Sequence, residues 1–119
     1  MSGHIDWTSY LRVHSDRRNL IIHAIAVPLF VASIAFLIVS IVRVEEVSIG
    51  IALGLAFAAM VLQGRGHKLE LHAPVPFSGP GNFLQRWFTE QFLIFPLFLV
   101  SGRWWQQFKA VDEGSDDAA

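Results

Sequence analysis

The stretch LIIHAIAVPLFVASIAFLIVSIV, residues 20–42, decides the fold because it contains no aspartate, glutamate, lysine or arginine. An α-helix rises about 1.5 Å per residue, so this stretch is long enough to cross the roughly 30 Å hydrocarbon core of a bilayer. The only ionisable side chain within it is that of His23. We therefore predict a membrane-spanning helix with one histidine near its start.

A second uncharged run, residues 47–64, follows after a short connection and is rich in glycine and alanine. So short a connection predicts an antiparallel hairpin of two spans. Small side chains let another helix approach closely, either within the chain or from a second copy, so a homo-oligomer through this span is one expected partner.

Basic residues mark the outer ends of both spans, whereas the connecting turn offers only Arg43. This asymmetry predicts that both outer flanks are cytoplasmic, in a bacterial inner (cytoplasmic) membrane or an ER-type membrane. The flanking basic residues are Arg12, Arg17, Arg18, Arg65 and Lys68.

Two segments after the spans have contrasting patterns. Residues 64–81 contain three prolines and several glycines, which predicts an ordered loop. Residues 82–90 place polar and apolar side chains on opposite faces at helical spacing, which predicts an amphipathic helix in the membrane interface.

The apolar run at residues 92–100 is too short to span the bilayer. With Pro96 in its middle, it is expected either to dip into the bilayer or to pack on the hairpin. Residues 5–14 predict a short surface helix. Trp104 and Trp105 are expected to anchor the chain at headgroup level.

These segments together predict an all-α fold, an integral membrane helical hairpin with interfacial amphipathic helices and a Pro/Gly-rich loop. We expect one membrane-embedded domain over residues 1–111 and a disordered acidic tail over residues 112–119.

The overall composition agrees with a membrane protein and excludes several functions. Of the 119 residues, 53% are hydrophobic and only 16% are charged, below the roughly 25% charged share of ordinary soluble domains. The net charge of −1 and the lack of a basic cluster argue against a nucleic-acid partner. Without cysteine, any metal site must use nitrogen and oxygen ligands.

Four of the five histidines, His14, His23, His67 and His72, fall where a hairpin brings the chain to one end. Neutral imidazole is a common ligand of first-row transition metals, and a cluster without sulfur favours iron(II), zinc or manganese. We expect these four to converge on one metal ion. His4 is expected to be an ordinary interfacial residue.

His23 is the strongest of these candidates. Burying its imidazole among aliphatic side chains without a partner costs roughly 1–3 kcal/mol, and an ionisable group within a span is a functional hypothesis by default. Residues nine positions apart on one helix point in nearly opposite directions, so His14 can share an ion with His23 only if the chain bends between them.

Three polar residues beside the histidines are nominated for the site: Glu70, Asn19 and Asp16. Asp16 or Asn19 is suited to cap the helix that follows the bend. On a helical turn Glu70 shares a face with His67, where it can bind the metal or orient an imidazole. The structural alternative pairs Glu70 with Lys68 or Arg65, and Asp16 with an arginine.

The spacing of these residues resembles the Mpo1-like family. The resemblance implies an integral membrane, iron(II)-dependent dioxygenase that shortens 2-hydroxy fatty acids by one carbon in fatty acid α-oxidation. It also implies that His14, His23 and His67 hold the iron, and that a lipid or fatty acid and O2 are the partners. The residues that carry the resemblance are Tyr10, His14, Asn19, His23, Val27-Pro28, Gly66-His67, Glu70 and Pro74.

Other readings of the same histidines remain open at this level. The chain can be a non-catalytic lipid-binding or interaction module whose histidines satisfy local hydrogen bonds. It can also be a zinc-dependent lipid hydrolase with the same ligands, and a haem held by a histidine pair would show itself as colour.

Overall fold

The computed structural model describes the backbone of residues 6–118 and the side chains of residues 6–111, so His4 lies outside the described residues. All the regular elements in this part are helical, which confirms the predicted all-α class. In chain order they are α1 (Trp7–Arg12), α2 (Arg17–Val42), α3 (Glu46–Lys68), α4 (Pro80–Thr89), a π-turn (Glu90–Ile94), α5 (Phe95–Val100) and α6 (Arg103–Ala118).

Helices α2 and α3 form the predicted hairpin. The Asp16 side chain begins α2 by accepting hydrogen bonds from the backbone N–H groups of Arg18 (2.8 Å) and Asn19 (3.4 Å). These bonds satisfy donors that the first turn of a helix leaves free. At the other end, Val44 reverses the chain with a positive φ of 56°, and α3 starts at Glu46.

The two long helices expose most of their apolar surface. Of the most apolar 18 residues of each helix, only 28% in α2 and 22% in α3 are buried inside the protein. Ile25 on α2 is 62% exposed and Phe57 on α3 is 67% exposed. A soluble monomer rarely presents so large a continuous apolar surface to water, whereas a bilayer solvates it. This surface agrees with the predicted membrane hairpin.

The small residues of α3 divide between two faces. Ala56 and Ala59 are buried and pack with Phe30 of α2, which allows the two helices to approach closely. Gly50 and Gly54 are exposed, and a Cβ atom added at either position would meet nothing within 4 Å. The predicted homo-oligomer through this span stays a prediction.

The predicted start of the loop at residue 64 is wrong, because α3 continues to Lys68. Gly66 lies inside this last turn, where a Cβ atom would overlap with the Asn19 side chain of α2. Its missing side chain therefore serves close packing rather than chain reversal. The loop itself covers residues 69–79, and the predicted amphipathic helix follows as α4.

Pro96 lies within a continuous helical segment. Residues 80–100 run without a break from α4 through the π-turn into α5. In the π-turn the N–H of Phe95 donates to the carbonyl of Glu90, five residues earlier, so a wider turn directly precedes the proline that lacks a donor. Phe95 and Phe98 are buried in a cluster with Leu20 of α2. This segment therefore packs on the hairpin.

The aromatic-rich helix α6 packs against the start of the hairpin. The Trp104 Nε1–H donates to the carbonyl of Leu20 at 3.0 Å. The Gln107 amide donates to the carbonyls of Leu11 at 3.3 Å and His14 at 3.1 Å. Trp104 is half-buried and packs on the hairpin, and its predicted position at headgroup level stays a prediction.

The predicted headgroup role remains a prediction for Trp105, which is 55% exposed. Beyond it, the backbone of residues 112–118 continues α6. Their side chains and Ala119 lie outside the described residues, and the predicted domain division stays a prediction.

Candidate metal centre

Three histidines meet at the end of the hairpin where α2 begins and α3 ends. His14 lies in the link between α1 and α2, His23 in the second turn of α2, and His67 in the last turn of α3. The ring centre of His14 lies 5.1 Å from the ring centre of His23 and 5.1 Å from that of His67. The ring centres of His23 and His67 are 4.7 Å apart. One nitrogen from each ring lies within 4.8 Å of the other two.

Two of these imidazoles are oriented by backbone carbonyls. Nδ1 of His14 lies 2.8 Å from the carbonyl oxygen of Tyr10, and Nδ1 of His23 lies 3.1 Å from that of Asn19. A carbonyl oxygen only accepts hydrogen bonds, so both Nδ1 atoms carry the proton and both Nε2 atoms keep a lone pair. Such carbonyl-bound imidazoles are typical of metal-ligating histidines.

The remaining nitrogens have no protein partner. Nε2 of His14, Nε2 of His23 and Nδ1 of His67 are buried and make no hydrogen bond in the described structure. Buried polar atoms without partners are rare and each needs an explanation, such as an ion that they bind. Because one such atom belongs to each of the three clustered histidines, a shared ligand is the simplest explanation.

The chemistry of this donor set fits a divalent transition metal. Burial, reinforced by the neighbouring His23 and His67, holds the pKa of His14 well below its usual range. His14 is therefore neutral at neutral pH, and the neutral imidazole is the form that binds metal. Three imidazoles suit iron(II), zinc or manganese and leave coordination positions open for other molecules.

Residues 4–95 match the family model described as Mpo1-like, 2-hydroxy-palmitic acid dioxygenase Mpo1-like. The chain belongs to the Mpo1-like family. The match covers more than three quarters of the chain, includes all three converging histidines and ends before α6. Neither the curated proteins nor the solved structures contain a match to it.

The structure does not bring His72 to the other three histidines, although all four were expected to converge. His72 is exposed in the loop of residues 69–79, outside the histidine cluster. His72 follows the end of α3 at Lys68 by four residues. The site that the Mpo1-like chain assembles therefore has three imidazoles.

Glu70 connects the end of α3 to the link that carries His14. Its carboxylate accepts hydrogen bonds from the backbone N–H groups of Ser15 (2.8 Å) and Asp16 (3.0 and 3.1 Å) and from the Asn19 side chain (2.6 Å). These donors, rather than Lys68 or Arg65, are its partners. A carboxylate at the start of α2 also interacts favourably with the helix dipole. Its nomination as a catalytic residue stays a prediction.

Asp16 and Asn19 have different environments. Asp16 caps α2 and pairs with Arg18 at 3.0 Å, and the hydrogen bond from Arg18 lowers the pKa of the Asp16 carboxyl. Asn19 is fully buried and does not cap the helix. It lies between Glu70, to which its side chain donates, and His23, whose Nδ1–H its carbonyl accepts.

Four further polar residues form two hydrogen-bonded pairs that the sequence did not predict: Tyr10 with Glu90, and Gln63 with Gln91. Of these, only Tyr10 belongs to the family motif. The Tyr10 ring stacks on His14 with 4.0 Å between ring centres, and its hydroxyl donates to Glu90 at 2.7 Å. Burial raises the pKa of Glu90 to about 7.

The amides of Gln63 and Gln91 exchange two hydrogen bonds, at 2.8 and 2.7 Å. The only sequence feature that could have indicated this pair is the single amide side chain, Gln63, near the end of the apolar run of residues 47–64.

Replacing one member of the Gln63–Gln91 pair is expected to be more harmful than replacing both. Gln63→Leu or Gln91→Leu alone leaves a buried amide without a partner, which costs about 1–3 kcal/mol. The double Leu variant removes both polar groups and should unfold close to the wild type. Thermal unfolding in detergent micelles measures this cycle, and additive losses in the double variant would contradict a mutual hydrogen-bonded pair.

Proposed function

We propose that this Mpo1-like chain is a membrane-embedded, iron(II)-dependent dioxygenase that shortens 2-hydroxy fatty acids by one carbon. The observation that carries the proposal is the convergence of His14, His23 and His67, with buried nitrogens that have no protein partner. The family description, which names a 2-hydroxy-palmitic acid dioxygenase, supports the substrate class.

In this proposal His14, His23 and His67 hold the metal. The carbonyls of Tyr10 and Asn19 keep a proton on Nδ1 of two of these rings and leave Nε2 available. When bound, iron supplies the redox reaction with O2, which amino-acid side chains do not perform.

Two apolar rings lie against the same site and shield His14 and His23 from water. Phe95 lies with its ring centre 5.9 Å from that of His23, and Phe98 lies 6.4 Å from His14. Both phenylalanines are fully buried. Their burial lowers the local dielectric constant, which strengthens electrostatic interactions at the histidines and protects reactive species from side reactions.

The position of the site suits a substrate that enters from lipid. The histidines lie at the end of the hairpin, beside the exposed apolar surfaces of α2 and α3. A fatty acid can keep its chain in the bilayer while its carboxylate and 2-hydroxyl reach this end. Arg18 is paired with Asp16, so we assign attraction of the substrate carboxylate to Arg65 and Lys68, which are exposed in the last turns of α3.

The proposed overall reaction balances without a separate reductant. The bond between C1 and C2 of the 2-hydroxy acid breaks, and C2 is oxidised from an alcohol to a carboxylate. One O2 is reduced, C1 leaves as CO2, and one water is formed. A 2-hydroxypalmitic acid substrate therefore gives pentadecanoic acid.

The test combines metal analysis with an aerobic assay of the whole protein. The protein, purified in mild detergent and loaded with iron(II), is incubated with 2-hydroxypalmitic acid, and the products are identified by mass spectrometry. We expect pentadecanoic acid in air, none without O2, and none from palmitic acid itself.

The two other candidate functions give different results in this experiment. A zinc-dependent hydrolase would retain zinc and release its product equally well without O2. A non-catalytic lipid-binding module would bind no metal and convert no substrate. Either result would overturn the proposed dioxygenase.

Glu70 is expected to support metal binding without touching the metal. Glu70→Ala removes the acceptor that holds the Ser15–Asp16 backbone next to His14, and should weaken metal affinity by about 10–100-fold, as loss of an outer partner of a ligand typically does. Glu70→Gln keeps one acceptor oxygen and should lose less. Titration against a competing chelator measures both variants, with the exposed Glu46→Ala as control. Wild-type affinity in Glu70→Ala would contradict this role.

The orientation and the membrane remain proposals, with the hairpin end that carries the histidines on the cytoplasmic side of a bacterial inner membrane or an ER-type membrane. Because the chain has no cysteine, single cysteines report the topology unambiguously. We expect a membrane-impermeant maleimide to label His72→Cys from the cytoplasmic side and Glu45→Cys from the opposite side. Labelling of both from one side would contradict a spanning hairpin.

A further inference from the structure

Three residues of the segment 90–95 connect the π-turn to the parts of the chain that carry the histidines. Glu90, its first residue, accepts the hydrogen bond of the Tyr10 hydroxyl, and Tyr10 stacks on His14. Gln91 bonds to Gln63, one helical turn before His67 on α3. Phe95, immediately after the π-turn, lies against His23. π-turns inside α-helices occur frequently at functional sites.

Among the three imidazoles, that of His14 depends most on contacts outside its own element. His14 lies in the short link between α1 and α2, whereas His23 and His67 belong to long helices. Tyr10 holds His14 twice, because its carbonyl accepts from Nδ1 and its ring lies parallel to the imidazole within 16°. The orientation of His14 therefore depends on where the Tyr10 ring is fixed.

The far end of the Tyr10 ring is fixed by Glu90. The hydroxyl and the carboxylate are 2.7 Å apart, the short distance expected for an O–H donor bound to a carboxylate. Burial raises the pKa of the Glu90 carboxyl, so this position disfavours the charge that the side chain carries when ionised. Burying a carboxyl group is unfavourable, and Glu90 contacts Tyr10, the residue that orients His14. Such a buried carboxyl beside a candidate site indicates a functional role.

We propose that Glu90 is a positioning residue of the metal centre, which fixes the Tyr10 hydroxyl so that the Tyr10 ring and carbonyl hold His14 in its ligating orientation. The inference rests on the proposed function only in that the three histidines must bind a metal. The π-turn then belongs to the elements that build the site, and the burial of the Glu90 carboxyl has a functional reason.

Cobalt(II) binding to the whole protein in micelles tests the inference without an activity assay. Visible absorption reports the geometry around cobalt, and competition with a chelator gives the affinity. The variants are Tyr10→Phe, Glu90→Ala, their combination, and Glu90→Gln, which keeps an acceptor oxygen. Glu45→Ala, an exposed glutamate in the hairpin turn whose side chain makes no cap hydrogen bond, is the matched control.

We expect Tyr10→Phe and Glu90→Ala to bind cobalt about tenfold more weakly, with altered visible spectra, while the double variant loses no more than either single variant. Glu90→Gln and Glu45→Ala should retain the affinity and spectrum of the wild type. Equal losses in Glu90→Gln and Glu90→Ala would overturn the inference, because the charge rather than the hydrogen bond would then matter.

Other results separate this inference from the proposed function. If the wild type binds no cobalt, the metal centre itself is refuted. If the wild type binds and Tyr10→Phe gives an unchanged affinity and spectrum, only the role of Glu90 is overturned. Circular dichroism verifies the fold of each variant, and Tyr10→Phe with Glu90→Gln decides the question should Glu90→Ala not fold.

Discussion

His23→Ala will abolish metal binding and, with it, any turnover of a 2-hydroxy fatty acid. The imidazole of His23 is fully buried, its Nδ1 is fixed by the Asn19 carbonyl, and its Nε2 has no protein partner. Loss of an outer partner of a ligand weakens binding by about 10–100-fold, and loss of the ligand itself should exceed that range. Metal analysis after exhaustive dialysis and the aerobic assay measure the two losses.

The matched control for this substitution is His72→Ala. His72 is exposed and lies outside the cluster, so its loss should leave metal content and turnover at the level of the wild type. The assignment of the site would be wrong if His72→Ala lost the metal while His23→Ala kept it. Far-UV circular dichroism of both variants shows whether α2 is intact.

The second large effect concerns Gly64 and Gly66, which are two positions apart in the sequence but have different surroundings. A Cβ atom at Gly66 would overlap with Asn19 Oδ1 and lie 3.2 Å from Asn19 Cγ and 3.3 Å from Ile22 Cγ2, whereas one at Gly64 would meet nothing within 4 Å. Gly66→Ala should therefore destabilise the hairpin by about 1–3 kcal/mol. Gly64→Ala should stabilise it by up to about 1 kcal/mol, since alanine favours a helix.

Gly66→Ala should also weaken metal binding, because Asn19 must move and its carbonyl orients His23. Unfolding in mixed micelles of increasing sodium dodecyl sulfate fraction measures the stability of both variants, and cobalt titration measures the site. Destabilisation of equal size in the two variants would show that helix flexibility, and not the contact between α2 and α3, determines the result.

The hairpin and the gathering of three histidines follow from the sequence because each rests on a long-range pattern that local detail does not disturb. Two uncharged runs with a short connection leave few topologies, and that topology alone brings His14, His23 and His67 to one end. The bend between His14 and His23 was also predictable, since Asp16 is a strong helix cap.

The details that the sequence did not disclose depend on contacts between distant residues. Gly64 and Gly66 indicate a loop when considered alone, yet α3 continues through them because the Asn19 side chain lies against Gly66. The sequence left open whether the run around Pro96 dips into the bilayer or packs on the hairpin, and it gave no sign of the π-turn that precedes this proline. Partners such as Glu90 for Tyr10 are eighty positions apart, and no local pattern announces them.

The location of His67 at the far end of the second long helix has a consequence for biosynthesis. The ribosome completes His14 and His23 early, but the last donor is translated only after almost all of α3. In the proposed metal centre, a nascent chain therefore has no complete ligand set until nearly all of α3 has been translated. Under the proposed function, metal uptake would then follow synthesis of the hairpin instead of accompanying synthesis of α1 and α2.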